Sequence, residues 1–67
     1  EEYVVQKALM GGEWKDCRFY TWSRLPKDAV IQGPAVIEDE TSTCVVPQTW
    51  TAKLQKNGSL ILEKEEN

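Results

Sequence analysis

The chain alternates short apolar runs with short polar segments, and no stretch repeats its apolar residues with the period of a helix. The runs are rich in Val, Ile, Thr and aromatic residues, which favour β-strands. We expect strands at residues 3–10, 14–22, 29–31, 35–38, 43–46, 50–55 and 59–63. Short strands at this spacing predict an all-β fold, a small antiparallel barrel or sandwich of about six to seven strands.

Glycine, proline and asparagine mark the turns between these runs. Gly11-Gly12 follows the first run directly, and two residues free to take positive φ suit a two-residue hairpin loop. Asn57-Gly58 lies between the last two runs and is a strong hairpin signal. Between the hairpins, Pro26 interrupts residues 23–28, and Gly33-Pro34 separates two apolar runs. The sequence therefore predicts a crossover in the middle and an Asn-Gly hairpin at the end.

The chain is short enough to form only one domain with a thin core. Its 67 residues begin without an initiator Met, so we expect a domain at residues 1–63 cut from a larger subunit. The acidic residues 64–67 should be a frayed tail. The longest apolar runs fall far below the ~20 residues that span a bilayer, so no membrane partner is expected.

The charge and the cysteine content limit which partners and which cellular compartment we expect for the chain. The net charge is -3, from 11 acidic and 8 basic residues, and the lysines are scattered. Nucleic-acid binding needs clustered basic residues, so we do not expect it. Cys17 and Cys44 could pair, but their apolar surroundings and the lack of a secretory signal favour two reduced, buried thiols. A cytoplasmic location is expected.

The residues that carry most enzymatic chemistry are missing from the sequence. There is no His, which excludes a Ser-His-Asp or Cys-His arrangement. No Gly-rich phosphate-binding motif occurs either. Cys44 lies in a strand with no base or cation beside it to lower its pKa. We therefore predict no catalytic or cofactor-binding residue in this chain.

The acidic run Glu38, Asp39 and Glu40 is a weak candidate for a metal site. Three carboxylates followed by hydroxyl side chains could offer oxygen ligands to Mg²⁺ or Ca²⁺. Adjacent residues of a strand point to opposite faces, however, and the spacing matches no calcium loop. We favour a solvated turn.

The aromatic residues are the other candidate site. Three Trp are more than a core of this size can readily enclose, and large aromatic residues are enriched at interfaces. We expect Trp22, Trp50 and Tyr20 at a docking surface. The alternatives are core filling, and a stacking platform for a base, a sugar or a Pro-rich peptide.

Between Phe19 and Glu63 the sequence contains a set of spaced motifs: Leu25-Pro26, Ile31, Gly33 to Glu38, Thr41 to Thr43, Val45 to Pro47, Trp50, Asn57-Gly58 and Leu60 to Leu62. In these motifs and their spacing the sequence resembles the end of the large subunits of the hydantoinase A, 5-oxoprolinase and acetone or acetophenone carboxylase family. Asp28 stands where the family often has Gly, and Cys44 where it often has Thr. Gln48-Thr49 replaces the usual Pro-Gly, so this turn could be a more open loop.

The resemblance implies a C-terminal domain of a larger enzyme subunit. In the family the ATP-binding portion is N-terminal to this piece, and a hydantoinase B type subunit is the usual partner. ATP, with a divalent metal, supports hydrolysis of cyclic amides or carboxylation of ketones. The resemblance gives this segment a non-catalytic structural and docking role.

In that role Gly33 and Pro34 set a chain reversal, Asn57 and Gly58 form the last turn, and Trp50 anchors the final hairpin. The core is expected from Val36, Ile37, Val45, Val46, Leu60 and Leu62. An autonomous ligand- or peptide-binding β-domain with a Trp-rich surface remains the alternative.

Overall fold

The computed structural model describes residues 3–65 and confirms the all-β prediction. One short 3-10 helix, Trp22–Arg24, follows the second strand. The strands are β1 (Val4–Met10), β2 (Glu13–Thr21), β3 (Val30–Gln32), β4 (Ala35–Glu38), β5 (Thr43–Val46), β6 (Trp50–Leu54) and β7 (Leu60–Lys64).

The strands form two sheets. One has four strands in the order β1-β2-β4-β5, and the other has three in the order β3-β6-β7. The neighbouring strands pair antiparallel, as predicted, except that β2 and β4 are parallel. The parallel pair arises because residues 22–34 leave the first sheet, supply β3 to the second sheet and then return. A crossover of this kind is what a parallel pair requires.

The first hairpin has the expected two-residue loop. Met10 pairs with Glu13, and the two residues between them, Gly11 and Gly12, have φ values of 58° and 81°. Positive φ at both central residues is the requirement of a type I′ turn, whose twist matches that of the flanking strands. The turn of this hairpin therefore depends on the two glycines.

The last hairpin connects β6 and β7 through residues 55–59, and its loop is the three residues, 56–58, that the sequence places between the last two runs. The Gly58 N–H donates to the Gln55 carbonyl (2.9 Å), and the Gln55 N–H donates to the Ser59 carbonyl (2.8 Å). Gly58 has a φ of 90°, whereas Asn57 does not take positive φ. The Asn57 Oδ1 instead accepts a hydrogen bond from the Ser59 N–H (3.0 Å). This is the turn-plus-bulge geometry of a three-residue loop.

The core lies between the two sheets and contains side chains from both. It consists of Tyr20, Ile31, Ala35, Ile37, Val46 and Ala52, with Trp22, Leu25, Cys44, Trp50, Leu60 and Leu62 packed against it. Ile37, Val46, Leu60 and Leu62 are found there as predicted, whereas Val36 is buried on the opposite, outer face of the four-stranded sheet. Val45 is about half exposed, because it pairs with Val36 on the outer face of the four-stranded sheet.

Two residues of the predicted tail, Lys64 and Glu65, are paired with the rest of the domain. Lys64 belongs to β7 and pairs with Trp50, and the Glu65 N–H donates to the Thr49 carbonyl (2.7 Å). Backbone pairing therefore continues through residue 65. Residues 66 and 67 of the predicted tail lie outside the described residues.

Two connections between the sheets meet at Gly33. The Gly33 N–H donates to the Trp50 carbonyl (2.9 Å), and the Trp50 N–H donates to the Pro47 carbonyl (3.0 Å). The second bond closes a turn from Pro47 to Trp50. Neither Gln48 nor Thr49 takes positive φ there, so the turn does not need the glycine that the family resemblance suggests. It is closed rather than open.

Asp28 occupies a backbone conformation that favours glycine. Its φ is 58°, and it is the only residue other than glycine with positive φ within residues 3–65. Asp tolerates this left-handed region better than most residues, because its short side chain can hydrogen-bond locally. Asp28 thus takes the left-handed conformation that the usual Gly would adopt readily at this position.

Candidate functional site

The structure separates the aromatic residues that the sequence grouped at a docking surface. Tyr20 is only 4% exposed and belongs to the core, so the prediction that it docks is wrong. Trp22 and Trp50 are half-buried against the same core. The Trp22 Nε1–H also donates to the Gly58 carbonyl (3.1 Å). Docking by Trp22 and Trp50 stays a prediction.

Trp14 is the tryptophan that the core leaves open. Its side chain is 68% exposed, and it lies near the start of β2, whereas Trp22 follows the end of that strand. Eight residues of extended chain separate them by about 26 Å. Trp14 and Trp22 therefore do not form one stacking platform.

Exposed apolar side chains concentrate on the first hairpin. Within residues 3–65, eight large apolar residues are exposed, and five of them are on β1 and β2 or directly before β1. These five are Tyr3, Val4, Val5, Leu9 and Trp14. Scattered exposed apolar residues are common on protein surfaces, but a contiguous group often marks an interaction site.

Four of the five share the face of the hairpin that leads into the core. In the β1–β2 register, Leu9 lies opposite Trp14 and Val5 opposite Arg18. Alternation along β2 places Trp14 on the same face as Tyr20, which the three-stranded sheet covers. That cover stops short of the outer part of the hairpin. We call Tyr3, Val5, Leu9 and Trp14 the hairpin ledge.

The charged groups on the ledge have partners within it. Lys7 Nζ lies 2.9 Å from Asp16 Oδ1, and both side chains are well exposed, so this ion pair adds little stability. The Arg18 guanidinium lies 5.2 Å from the centre of the Tyr3 ring. That ring in turn lies 5.4 Å from the ring of Tyr20. The ledge thus offers apolar side chains together with charges that are already paired or stacked.

Sequence reasoning missed the ledge because alternation does not reveal which face of a strand is covered. On β2, Tyr20 is buried on the inner face and Cys17 on the outer face. An apolar side chain on each face hides the direction of the core. The exposed Trp14 could have been found only by knowing how far the second sheet extends.

Two grooves are also present on the surface. The first has a volume of about 390 Å³ and runs between the hairpin and the Pro47–Gln48 turn, and the Lys15 amine that lines it donates to the Gln48 side chain. The second has a volume of about 460 Å³ and lies between residues 25–28 and residues 54–58. Its charged lining residues are Lys27, Asp28 and Lys56.

The two cysteines are free and lie on opposite faces of the four-stranded sheet, as the register shows. No disulfide joins them, and the predicted burial holds for Cys17 but only in part for Cys44. Cys17 is buried, with its Sγ 3.7 Å from the Met10 Sδ. Cys44 is half-buried, and this burial raises the pKa of its thiol. The thiolate is the reactive form, so a raised pKa makes Cys44 a poor nucleophile.

The acidic run forms a turn whose groups bond to one another. The Asp39 N–H donates to the Ser42 carbonyl (2.8 Å), and Asp39 Oδ1 accepts from the Glu40 N–H (2.7 Å). Glu38 remains in β4, paired with Thr43. In the part of the chain that the structure describes, no three His, Cys, Asp or Glu side chains come together as a metal site.

Taken together, the sheets, the crossover at Gly33 and the hairpin ledge define a small two-sheet β-domain with one uncovered apolar surface. A family model for the hydantoinase/oxoprolinase C-terminal domain matches residues 3–65. The chain belongs to this family. Residues 3–65 include no helix that is long and apolar enough to cross a membrane.

Three similar proteins are much longer than this chain. The nucleotide-free structure of acetone carboxylase, from work on ATP-dependent acetone carboxylation, is 28% identical with a TM-score of 0.83 over 91% of this chain and 9% of that one. An uncharacterised protein of Methanocaldococcus jannaschii is 34% identical over 88% of this chain and 9% of its own length. The caprolactamase alpha subunit of Pseudomonas jessenii is 34% identical over 70% of this chain and 7% of its own. The chain spans less than a tenth of these relatives.

Proposed function

We propose that this chain is a non-catalytic structural and docking domain of a larger hydantoinase, oxoprolinase or ketone carboxylase subunit. The observation that carries the proposal is the hairpin ledge, an apolar surface that the domain's own second sheet does not cover. Burial of such side chains against another part of an enzyme is favourable by about 25 cal/mol for each Å² removed from water. The ledge therefore suits attachment better than chemistry.

The enzyme to which the domain belongs is proposed to use ATP and a divalent metal. One similar protein takes part in ATP-dependent acetone carboxylation, and another is named a caprolactamase. Both ketone carboxylation and cyclic amide hydrolysis are therefore open for the parent. We assign the nucleotide and the metal to the rest of that subunit, because this sequence contains no Gly-rich phosphate-binding motif.

The proposed partners are the rest of the parent chain and a hydantoinase B type subunit. The caprolactamase relative is itself named a subunit, which supports an assembly of more than one chain. We place the assembly in the cytoplasm. The two free cysteines support a reducing compartment.

Deleting this domain from the full-length subunit tests the proposal. We expect the deleted subunit to lose assembly with its partner and to lose ATP-coupled turnover, both of which can be measured on the purified complex. Adding the domain back as a separate chain is the control, since partial recovery would show that the loss is specific. Unchanged assembly and unchanged turnover would contradict a docking role.

A further inference from the structure

We infer that the hairpin ledge is the surface by which this domain packs onto the preceding part of its own subunit, with the exposed Trp14 ring as an anchor. This inference rests on the proposed function and specifies which surface docks and what it contacts. The ledge residues are Tyr3, Val5, Leu9 and Trp14, all of which are exposed in the structure.

The first argument is the continuity of the ledge with the core. Tyr3 stacks beside Tyr20, whose ring is buried between the two sheets. From that point Val5, Leu9 and Trp14 continue the same face outward, and each of them is more than half exposed. A further apolar layer placed beside the three-stranded sheet would extend the existing core without rearranging it.

The second argument is the kind of residue on the ledge. Trp, Tyr and Arg are enriched at protein interfaces, and a few such residues usually supply most of the binding energy. Trp14 and Leu9 form a cross-strand pair near the tip of the hairpin, while Arg18 and Tyr3 lie toward its base. The charges between these groups belong to the Lys7–Asp16 ion pair, so the partner need not supply a counter-charge there.

The third argument concerns where the rest of the subunit joins the domain. The family model describes a C-terminal domain, and the chain spans less than a tenth of its relatives. In such a subunit the remaining polypeptide reaches the domain at Tyr3, which is itself a ledge residue. A surface beside the point of attachment meets its partner at a high effective concentration, so even a modest apolar contact is sufficient.

A second copy of the chain is a poorer occupant. β1 is an edge strand, and two copies could pair antiparallel along it. The register centred on β1 would place Lys7 directly opposite Lys7 of the other copy, because Lys7 is the middle residue of Val4–Met10. Like charges directly opposite each other destabilise a strand pair. The Lys7 side chain therefore disfavours pairing of β1 with a second copy of the chain. The apolar face of the hairpin is then available to the rest of the subunit.

Charge substitutions in the full-length subunit test the inference. The Leu9→Lys variant is matched by Val30→Lys on the three-stranded sheet, since the two side chains are exposed to 60% and 58%. Trp14→Lys is the second ledge variant. Amide hydrogen exchange across the subunit measures whether the hairpin is covered, and the amides of β4 and β6 report in the same experiment whether the domain stays folded.

We expect Leu9→Lys and Trp14→Lys each to accelerate exchange in β1 and β2 about tenfold or more, as for loss of an interface anchor, while β4 and β6 stay protected. Val30→Lys should leave all four strands unchanged. Equal exchange in the ledge variants and in Val30→Lys would overturn the inference. The inference would also be overturned if the ledge variants abolished a concentration-dependent dimer, or if they released the second subunit without faster amide exchange in the hairpin. Either result would mean that a different partner occupies the ledge.

The domain deletion separates the two levels of the proposal. If deletion disrupts assembly while both ledge variants behave like Val30→Lys, the domain docks through another surface and only the ledge inference fails. If deletion itself has no effect, the docking function fails. If deletion and the ledge variants loosen the same part of the subunit, both are supported.

Discussion

A β-carbon on Gly33 would overlap the carbonyl oxygen of Pro47 and would also collide with the carbonyl of Val46. These are backbone atoms, so they cannot turn aside as the end of a long side chain could. The contact lies where the chain passes between the two sheets in both directions, from β3 to β4 and from β5 to β6. Glycine at this position is thus required for close approach of two backbones.

We therefore predict that Gly33→Ala lowers the free energy of unfolding by about 3 kcal/mol or more, because the two connections must move apart. Thermal or denaturant unfolding of the chain measures the change. Gly11→Ala is the control: its β-carbon would meet open space, and only its positive φ is unfavourable. That variant should lose about 1 kcal/mol. A smaller loss for Gly33→Ala than for Gly11→Ala would contradict the packing argument.

At the scale of single residues, the sequence predicted turn positions better than it predicted exposure. Gly11, Gly12 and Gly58 take positive φ at the turns expected from glycine. Val45 was expected in the core but is exposed, and Tyr20 was expected at a docking surface but is buried. Strand alternation predicts which residues share a face, but not which face the rest of the protein covers. That information resides in the second sheet, which distant residues build.

At the scale of elements, the short 3-10 helix is tied to the last hairpin. The Trp22 Nε1–H donates to the Gly58 carbonyl across a sequence separation of 36 residues, and the Trp22 ring packs on the core. This bond holds the start of the crossover against the β6–β7 loop.

We predict that Trp22→Phe, which keeps an aromatic ring but removes the donor, lowers the free energy of unfolding by about 1 kcal/mol. Amide exchange in residues 55–59 should also accelerate, because their loop loses its link to the 3-10 helix. Trp14→Phe is the matched control on the exposed ledge and should change stability by less than about 0.5 kcal/mol. Equal effects of the two variants would show that the indole hydrogen bond contributes nothing.

The number and limits of the strands followed from sequence, whereas their partition into sheets did not. The apolar runs and the Gly and Asn turns gave all seven strands to within about two residues. The parallel pairing of β2 with β4 depends on residues 22–34 visiting the other sheet. This pairing cannot be predicted from the alternation of apolar and polar residues along each strand. Both strands would show the same alternation if they were paired with an antiparallel neighbour.

At the scale of the whole molecule, the family could be predicted from the spaced motif between Phe19 and Glu63, and the family model now extends the match to residues 3–65. The ledge lies entirely outside that motif, on the hairpin that matched the family more loosely. The residues of a docking surface are selected by the partner that covers them, which the motif does not include. A motif made of turn and core residues therefore predicts the core more readily than it predicts the exposed hairpin.

A structural role for this domain also predicts that the isolated chain does not bind nucleotide. Phosphate binding needs backbone N–H groups gathered at a Gly-rich loop or a helix terminus, with basic side chains and a metal to offset the charge. The lysines lining the groove between residues 25–28 and 54–58 are accompanied by Asp28, and no carboxylate cluster for Mg²⁺ forms within residues 3–65. We expect the amide spectrum of the chain to remain unchanged when Mg-ATP is added, while the full-length subunit binds the nucleotide in calorimetry. Shifts centred on Lys27 and Lys56 would mean that this groove holds phosphate, and the domain would then contribute to the nucleotide site instead of only supporting it.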